Sequence, residues 1–275
     1  MNRREFLFTA SSLLLVYEDE EELKSKVHEF AGSISDKFQK IREITLLKED
    51  SFSLIYNLFE RDLGINIGTA SIRFDKNKKE MGLGLDEFTF LANIYLFFKG
   101  DGISDLDDLE YMLKFDENFL WKEYHENIIK KGRNPKSANP RSYILENSVV
   151  RMINLKGDGI QNFKSEDEQL IHNPLSAAFE ILNGNKLTNF EMAANSKYSR
   201  DIIINYRDEG DFVILESSFD QPIIGAFKKV YAILYNNIPL SGYIKDEGKN
   251  ENGEAEEMYI MGELENIKIN GKKLF

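Results

Sequence analysis

The chain contains no cysteine. That single absence removes disulfides, thiolate zinc sites, iron–sulfur clusters, thiol nucleophiles and the lipidated cysteine of a bacterial lipoprotein. It does not fix the compartment; it means only that folding requires no oxidant. Proline is scarce, at 5 in 275 residues, which argues against long disordered linkers. Basic residues are in deficit: 35 Lys and Arg face 47 Asp and Glu, for a formal net charge of -12. A phosphate backbone would repel that surface, so a nucleic-acid partner is not expected. The short basic stretch Lys130, Lys131 and Arg133 reads as a solvated loop.

Other signatures are missing. The three histidines, His28, His125 and His172, lack the helical spacing of a zinc pair, and Ile129 stands where a motif begun at His125-Glu126 needs its second histidine. The acidic run Asp101, Asp105, Asp107, Asp108 and Glu110 has Ile103 and Leu106 at the third and sixth positions, where a calcium loop needs an oxygen ligand and glycine. Gly64, Gly68, Gly82 and Gly84 precede no Lys-Ser/Thr pair, and no Gly-x-Ser-x-Gly elbow occurs. Neither a cofactor nor a metal is expected, and no catalytic residue is assigned. Trp121, Tyr124 and His125 form the one cluster with the residue types of a ligand site; a strand-surface histidine is the plainer reading of His125.

What is present falls into three parts. Residues 1–17 carry Arg3 and Arg4, then an apolar run from Phe8 to Tyr17. A basic end followed by a short apolar run has the form of an export signal, and paired arginines before Phe-Leu resemble the twin-arginine type. The run is too short for a confident membrane span. No small-x-small cleavage site follows it; Glu18 to Glu22 come directly after, so an uncleaved anchor near the membrane is an alternative. Residues 18–50 read as one amphipathic helix over 19–48. Leu23, Val27, Phe30, Ile34, Phe38 and Ile41 form its stripe, acidic residues its first turn and basic residues its later turns.

From position 51 to 275 the pattern is that of strands. Phenylalanine (20) and tyrosine (12) are abundant, and apolar residues alternate in Ile65–Phe74, Tyr111–Phe115 and Tyr143–Met152. Turn signals punctuate the segments. One helix interrupts them: Asn173-Pro174 is a start signal and Asn183-Gly184 a stop. The fold expected is mainly β with a few helices: an antiparallel, strongly curved sheet or partly closed barrel behind a long N-terminal helix.

Three segments carry a family resemblance. Asn173-Pro174-Leu175-Ser176-Ala177-Ala178-Phe179 resembles the Asp-Pro-Leu-Ser-x-hydrophobic segment of an exported bacterial family, domain of unknown function 3108. Gly225-Ala226-Phe227-Lys228-Lys229-Val230 is similar to its Gly-x-Phe-x-x-x-Val strand. Ile238-Pro239-Leu240, then Gly253 and Gly262-Glu263-Leu264, follow its closing strand and hairpin. Asn173 departs from the family's usual aspartate. The resemblance spans roughly residues 52–269 and implies a periplasmic β-rich protein, with a cytoplasmic one as the alternative. It supplies no catalytic residues.

Three functions follow as expectations. The first is a non-enzymatic exported protein that binds a lipid or another apolar component of the envelope on its curved sheet. The second is a tethered structural or interaction protein that reaches an envelope partner through its N-terminal helix. The third is a carboxylate-based hydrolase. The sequence leaves the oligomeric state open.

Overall fold

In a computed structural model, residues 25, 35–60, 64–75, 88–96, 108–116, 119–129, 141–154, 160–165, 171–194, 197–218, 229–249 and 255–275 are described. The paired arginines, the apolar run after them and most of the N-terminal stripe lie outside these residues.

The chain runs as two meanders that share one sheet. The first comprises β1 (Ser51–Glu60), β2 (Ile65–Asp75), β3 (Phe88–Leu96), β4 (Asp108–Phe115), β5 (Trp121–Ile129), β6 (Arg141–Glu146), β7 (Val149–Asn154) and β8 (Ile160–Lys164). The second comprises β9 (Ile171–His172), β10 (Asn189–Ala194), β11 (Lys197–Glu209), β12 (Phe212–Ser218), β13 (Lys229–Tyr235), β14 (Ile238–Lys249), β15 (Ala255–Ile269) and β16 (Lys272–Lys273). Strand β15 returns to pair with β1, so the first strand lies in the middle and β8 and β9 end the strand order. Among the described residues every ladder is antiparallel except β9–β10. Those two run parallel because a helix, α2 (Pro174–Leu182), carries the chain between them.

Local chemistry accounts for the turns. Asn147-Ser148, Asn236-Asn237 and Asn270-Gly271 all take positive φ, the twist that two-residue hairpins demand. Gly184 ends α2 at φ +85°, a conformation that favours glycine, and a Cβ there would meet the end of the Asn237 side chain at 2.9 Å. The start of α2 is fixed by Asn173. Its Oδ1 accepts from the backbone N–H groups of Leu175 and Ser176, both at 3.0 Å, and the Ser176 hydroxyl accepts from the Asn173 N–H at 2.8 Å.

Alternation gives β1, β2 and β6 each a buried face. On β1 it consists of Phe52, Leu54, Tyr56 and Leu58. Helix α2 covers this inner face and is itself buried at all but Glu180. Its Phe179 ring packs against Phe74 of β2 (5.6 Å), Phe115 of β4 (4.4 Å) and Phe119 (5.7 Å). The Trp121 indole N–H donates to the Ile171 carbonyl at 2.7 Å, tying β5 to β9. These strands lie far apart in the sheet order, so the sheet is strongly curved. It is not closed: among the described residues no ladder joins β8 to β9.

The long N-terminal helix is not supported. What is described is α1 (Ser35–Arg42), followed by a short 3₁₀ turn, Leu46–Lys48. Thr45 between them is extended, and the Asn236 side-chain amide donates to the Ile41 and Ile44 carbonyls at 2.9 and 2.7 Å. That amide satisfies carbonyls which a continuing helix would use itself. Ile41 and Leu46 enter the core, so this segment packs on the β domain.

Candidate functional site

Strands β4, β5 and β6 place polar side chains on both faces. The register explains which goes where. Phe115 pairs with Trp121, but Lys114 pairs with Glu123, so β5 carries one extra residue at Lys122. This bulge puts Trp121, Tyr124 and Glu126 on the inner face and Glu123 and His125 on the outer one. The sequence cluster Trp121, Tyr124 and His125 is thus divided: the two aromatic residues face inward, and His125 faces outward, half-buried.

The outward group is a chain of four side chains. Lys114 donates to Glu123 Oε2 at 2.6 Å; His125 Nε2 lies 3.2 Å from the same oxygen, and its Nδ1 lies 2.9 Å from Ser142 Oγ. The lysine holds the Glu123 carboxyl below the usual carboxylate range against the opposing effect of burial, and the histidine adds to the lowering. One tautomer satisfies the whole chain, with Nε2–H donating to Glu123 and Nδ1 accepting from Ser142. Ser142, His125 and Glu123 thus have the residue types of a nucleophile, a base and an orienting carboxylate in hydrogen-bond sequence.

The inward group is built around a buried ion pair. Glu126, 2 % exposed, faces Arg141 at 3.4 Å across the β5–β6 ladder and accepts from the Tyr143 hydroxyl at 3.1 Å. Tyr124 packs between Tyr143 (centroids 5.4 Å) and Tyr111, whose ring lies parallel to it at 6.2 Å. The hydroxyls of Tyr111 and Tyr124, on residues 2 % and 0 % exposed, make no hydrogen bond of normal length and angle. Burial first, and then the Glu126 charge, push both phenols well above their ordinary value, so both stay neutral. Tyr56, on the same face, differs: its hydroxyl donates to the Pro239 carbonyl at 3.0 Å.

Sequence reasoning saw Trp121 and Tyr124 but missed Tyr111, Glu126, Arg141 and Tyr143 as a group. One signal was available. Arg141 has the parity of Tyr143 and Leu145, which marks an inward charge that needs an inward partner. Among the described residues no three metal-ligating side chains converge, and no helix is long and apolar enough to cross a membrane.

No family model matches the chain, and no curated protein matches it. Among solved structures, the chain is similar to a β-barrel-like protein of domain of unknown function DUF1849 from Brucella abortus. The TM-score is 0.47 at 12 % identity, over 80 % of this chain and 97 % of that one. A DUF1089 family protein from Pseudomonas aeruginosa matches with a TM-score of 0.31 and 11 % identity, over 56 % of this chain and 82 % of that one.

Proposed function

We propose that this chain is a non-enzymatic, exported β-rich protein of the periplasm, related to the 3108 family, that binds a lipid or similar envelope component. One observation carries the reading: the open, strongly curved sheet has an inner face rich in aromatic side chains, among them Tyr111, Trp121, Tyr124 and Tyr143.

Native mass spectrometry of protein purified from its host without detergent tests the reading. The expected spectrum shows a bound species of lipid mass; a population at the bare chain mass alone would contradict it. Export is tested separately by fusing residues 1–30 to a reporter active only outside the cytoplasm, and a silent reporter rules it out.

A hydrolase stands second, favoured by the Ser142–His125–Glu123–Lys114 chain. Cross-strand neighbours on an outward sheet face produce such chains without any cleft, which is why it ranks lower. It requires a fluorophosphonate probe to label Ser142 and to lose that label in Ser142→Ala. An unlabelled wild-type chain removes this reading.

A further inference from the structure

We propose that strand β8 is a docking edge for a second copy of this chain, with the two β8 strands pairing antiparallel about a twofold axis at Asn162. The proposal is independent of ligand binding on the inner face.

The two ends of the strand order are built differently. At one end β9 has two residues, both buried, and helix α2 follows almost directly. At the other end β8 has five residues, exposed at all but half-buried Phe163. Ile160 is 63 % exposed, the most of any large apolar residue among the described ones. The β7–β8 register runs unbroken from Val149–Lys164 to Ile153–Ile160, so no bulge twists this edge away, and β8 contains no proline. Short or covered edges keep a sheet from pairing with another chain; a regular, exposed edge invites it.

Alternation identifies the groups on offer. The two-residue turn at Asn147-Ser148 makes Glu146–Val149 a hydrogen-bonded pair. The Val150 backbone therefore faces β8, and that of its partner Phe163 faces back. The Ser165 N–H, two residues further on, donates to the Ser148 carbonyl at 2.9 Å, which gives the same parity. The N–H and C=O groups of Ile160, Asn162 and Lys164 thus point away from β7, and among the described residues no strand meets them.

The charge pattern selects the occupant. The chain carries a net charge of -12, yet β8 has no acidic residue and a single basic one, Lys164. A twofold axis at Asn162 sets Asn162 opposite its own copy and Ile160 opposite Lys164 of the second copy, so no like charges meet. In that register each outward N–H faces an outward carbonyl, and the Ile160 side chain lies along the apolar stem of the lysine. So short an edge buries little area, which makes the dimer weak and reversible.

The experiment is sedimentation equilibrium of the full chain from about 10 µM to about 1 mM, where a monomer–dimer equilibrium is expected. Asn162→Pro removes the central outward N–H and no bond to β7. It should raise the dissociation constant at least about tenfold and leave denaturant unfolding unchanged. Two charge variants test the register itself. Ile160→Glu, facing Lys164 of the second copy, should dimerise about three- to tenfold more tightly than Ile160→Lys, with the gap closing as salt is added. General repulsion between two acidic chains predicts the opposite order, so this result is specific to the proposed pairing. Should the proline variant fail to fold, the Ile160 variants decide alone. A chain that stays monomeric to about 1 mM overturns the proposal. So does a dimer that a folded Asn162→Pro variant leaves intact, or one in which the two Ile160 variants do not differ in the stated order.

Discussion

The inner face of this sheet divides into two regions that treat burial differently. Around β1, β2 and the end of β4, the chain fills the space itself. Phe179 of α2 enters among Phe74, Phe115 and Phe119, Phe52 stacks on Phe74, and the Tyr56 hydroxyl finds a backbone carbonyl. Further along β4, and on β5 and β6, the side chains are as deeply buried but the polar groups are not all paired. The first region is a packed core. The second combines a buried ion pair with three tyrosines, and the hydroxyls of Tyr111 and Tyr124 make no hydrogen bond of normal length and angle.

The largest effects should separate the two regions. Phe179→Ala empties the packed region and should cost about 3–5 kcal/mol in denaturant unfolding. Arg141→Met strands the Glu126 carboxylate and should cost a similar amount, about 3–5 kcal/mol. The sharper comparison is the double variant Glu126→Gln with Arg141→Met. It should recover much of that loss, because both charges go together, whereas no second substitution of similar size restores Phe179→Ala. If the double variant is no better than Arg141→Met, the pair is ordinary packing.

A smaller effect is expected at the helix that creates the packed region. Asn173→Ala removes the acceptor of two backbone N–H groups and should cost about 1–2 kcal/mol by the same measurement. Stability unchanged by the substitution would mean that α2 is held by its apolar face alone.

Alkali should reveal the tyrosines. The folded-state values of Tyr56, Tyr111 and Tyr124 are raised, so the stability they contribute is complete below the ordinary value of 10.0 and is lost as pH rises above it. Half-buried Tyr206 is pushed up only to about 12. Ultraviolet titration of the 12 tyrosines should show a fraction that stays silent until the chain unfolds. Complete titration of a folded chain near pH 10 would contradict their burial.

The smallest effect is at the acid end and on the outer face. Glu123 is lowered from 4.5, so its contribution is present above that value and is lost as pH falls through the depressed one. Lys114→Met should flatten the acid limb of the stability curve slightly, and an unchanged limb would show the Lys114–Glu123 contact to be idle.

Much of the architecture was legible in the chain because alternation and turn chemistry are local. The segment from Lys229 to Tyr235 and the helix from Pro174 to Leu182 were readable from their own residues. The parallel β9–β10 pair was not, since β9 is two residues long and carries no periodicity. The stripe after Glu22 suggested a continuous helix, but Asn236, nearly two hundred residues away, takes up the carbonyls at Ile41 and Ile44. The site was half-legible for a similar reason. The extra residue at Lys122 sets which side chains of β5 face inward, and only the partner strand reveals it.

The most direct test is a high-resolution crystal structure of protein purified from its host without detergent, examined along the inner face of the open sheet. The account predicts density for a bound non-protein molecule of lipid size against that face. An inner face filled by protein side chains alone would contradict it.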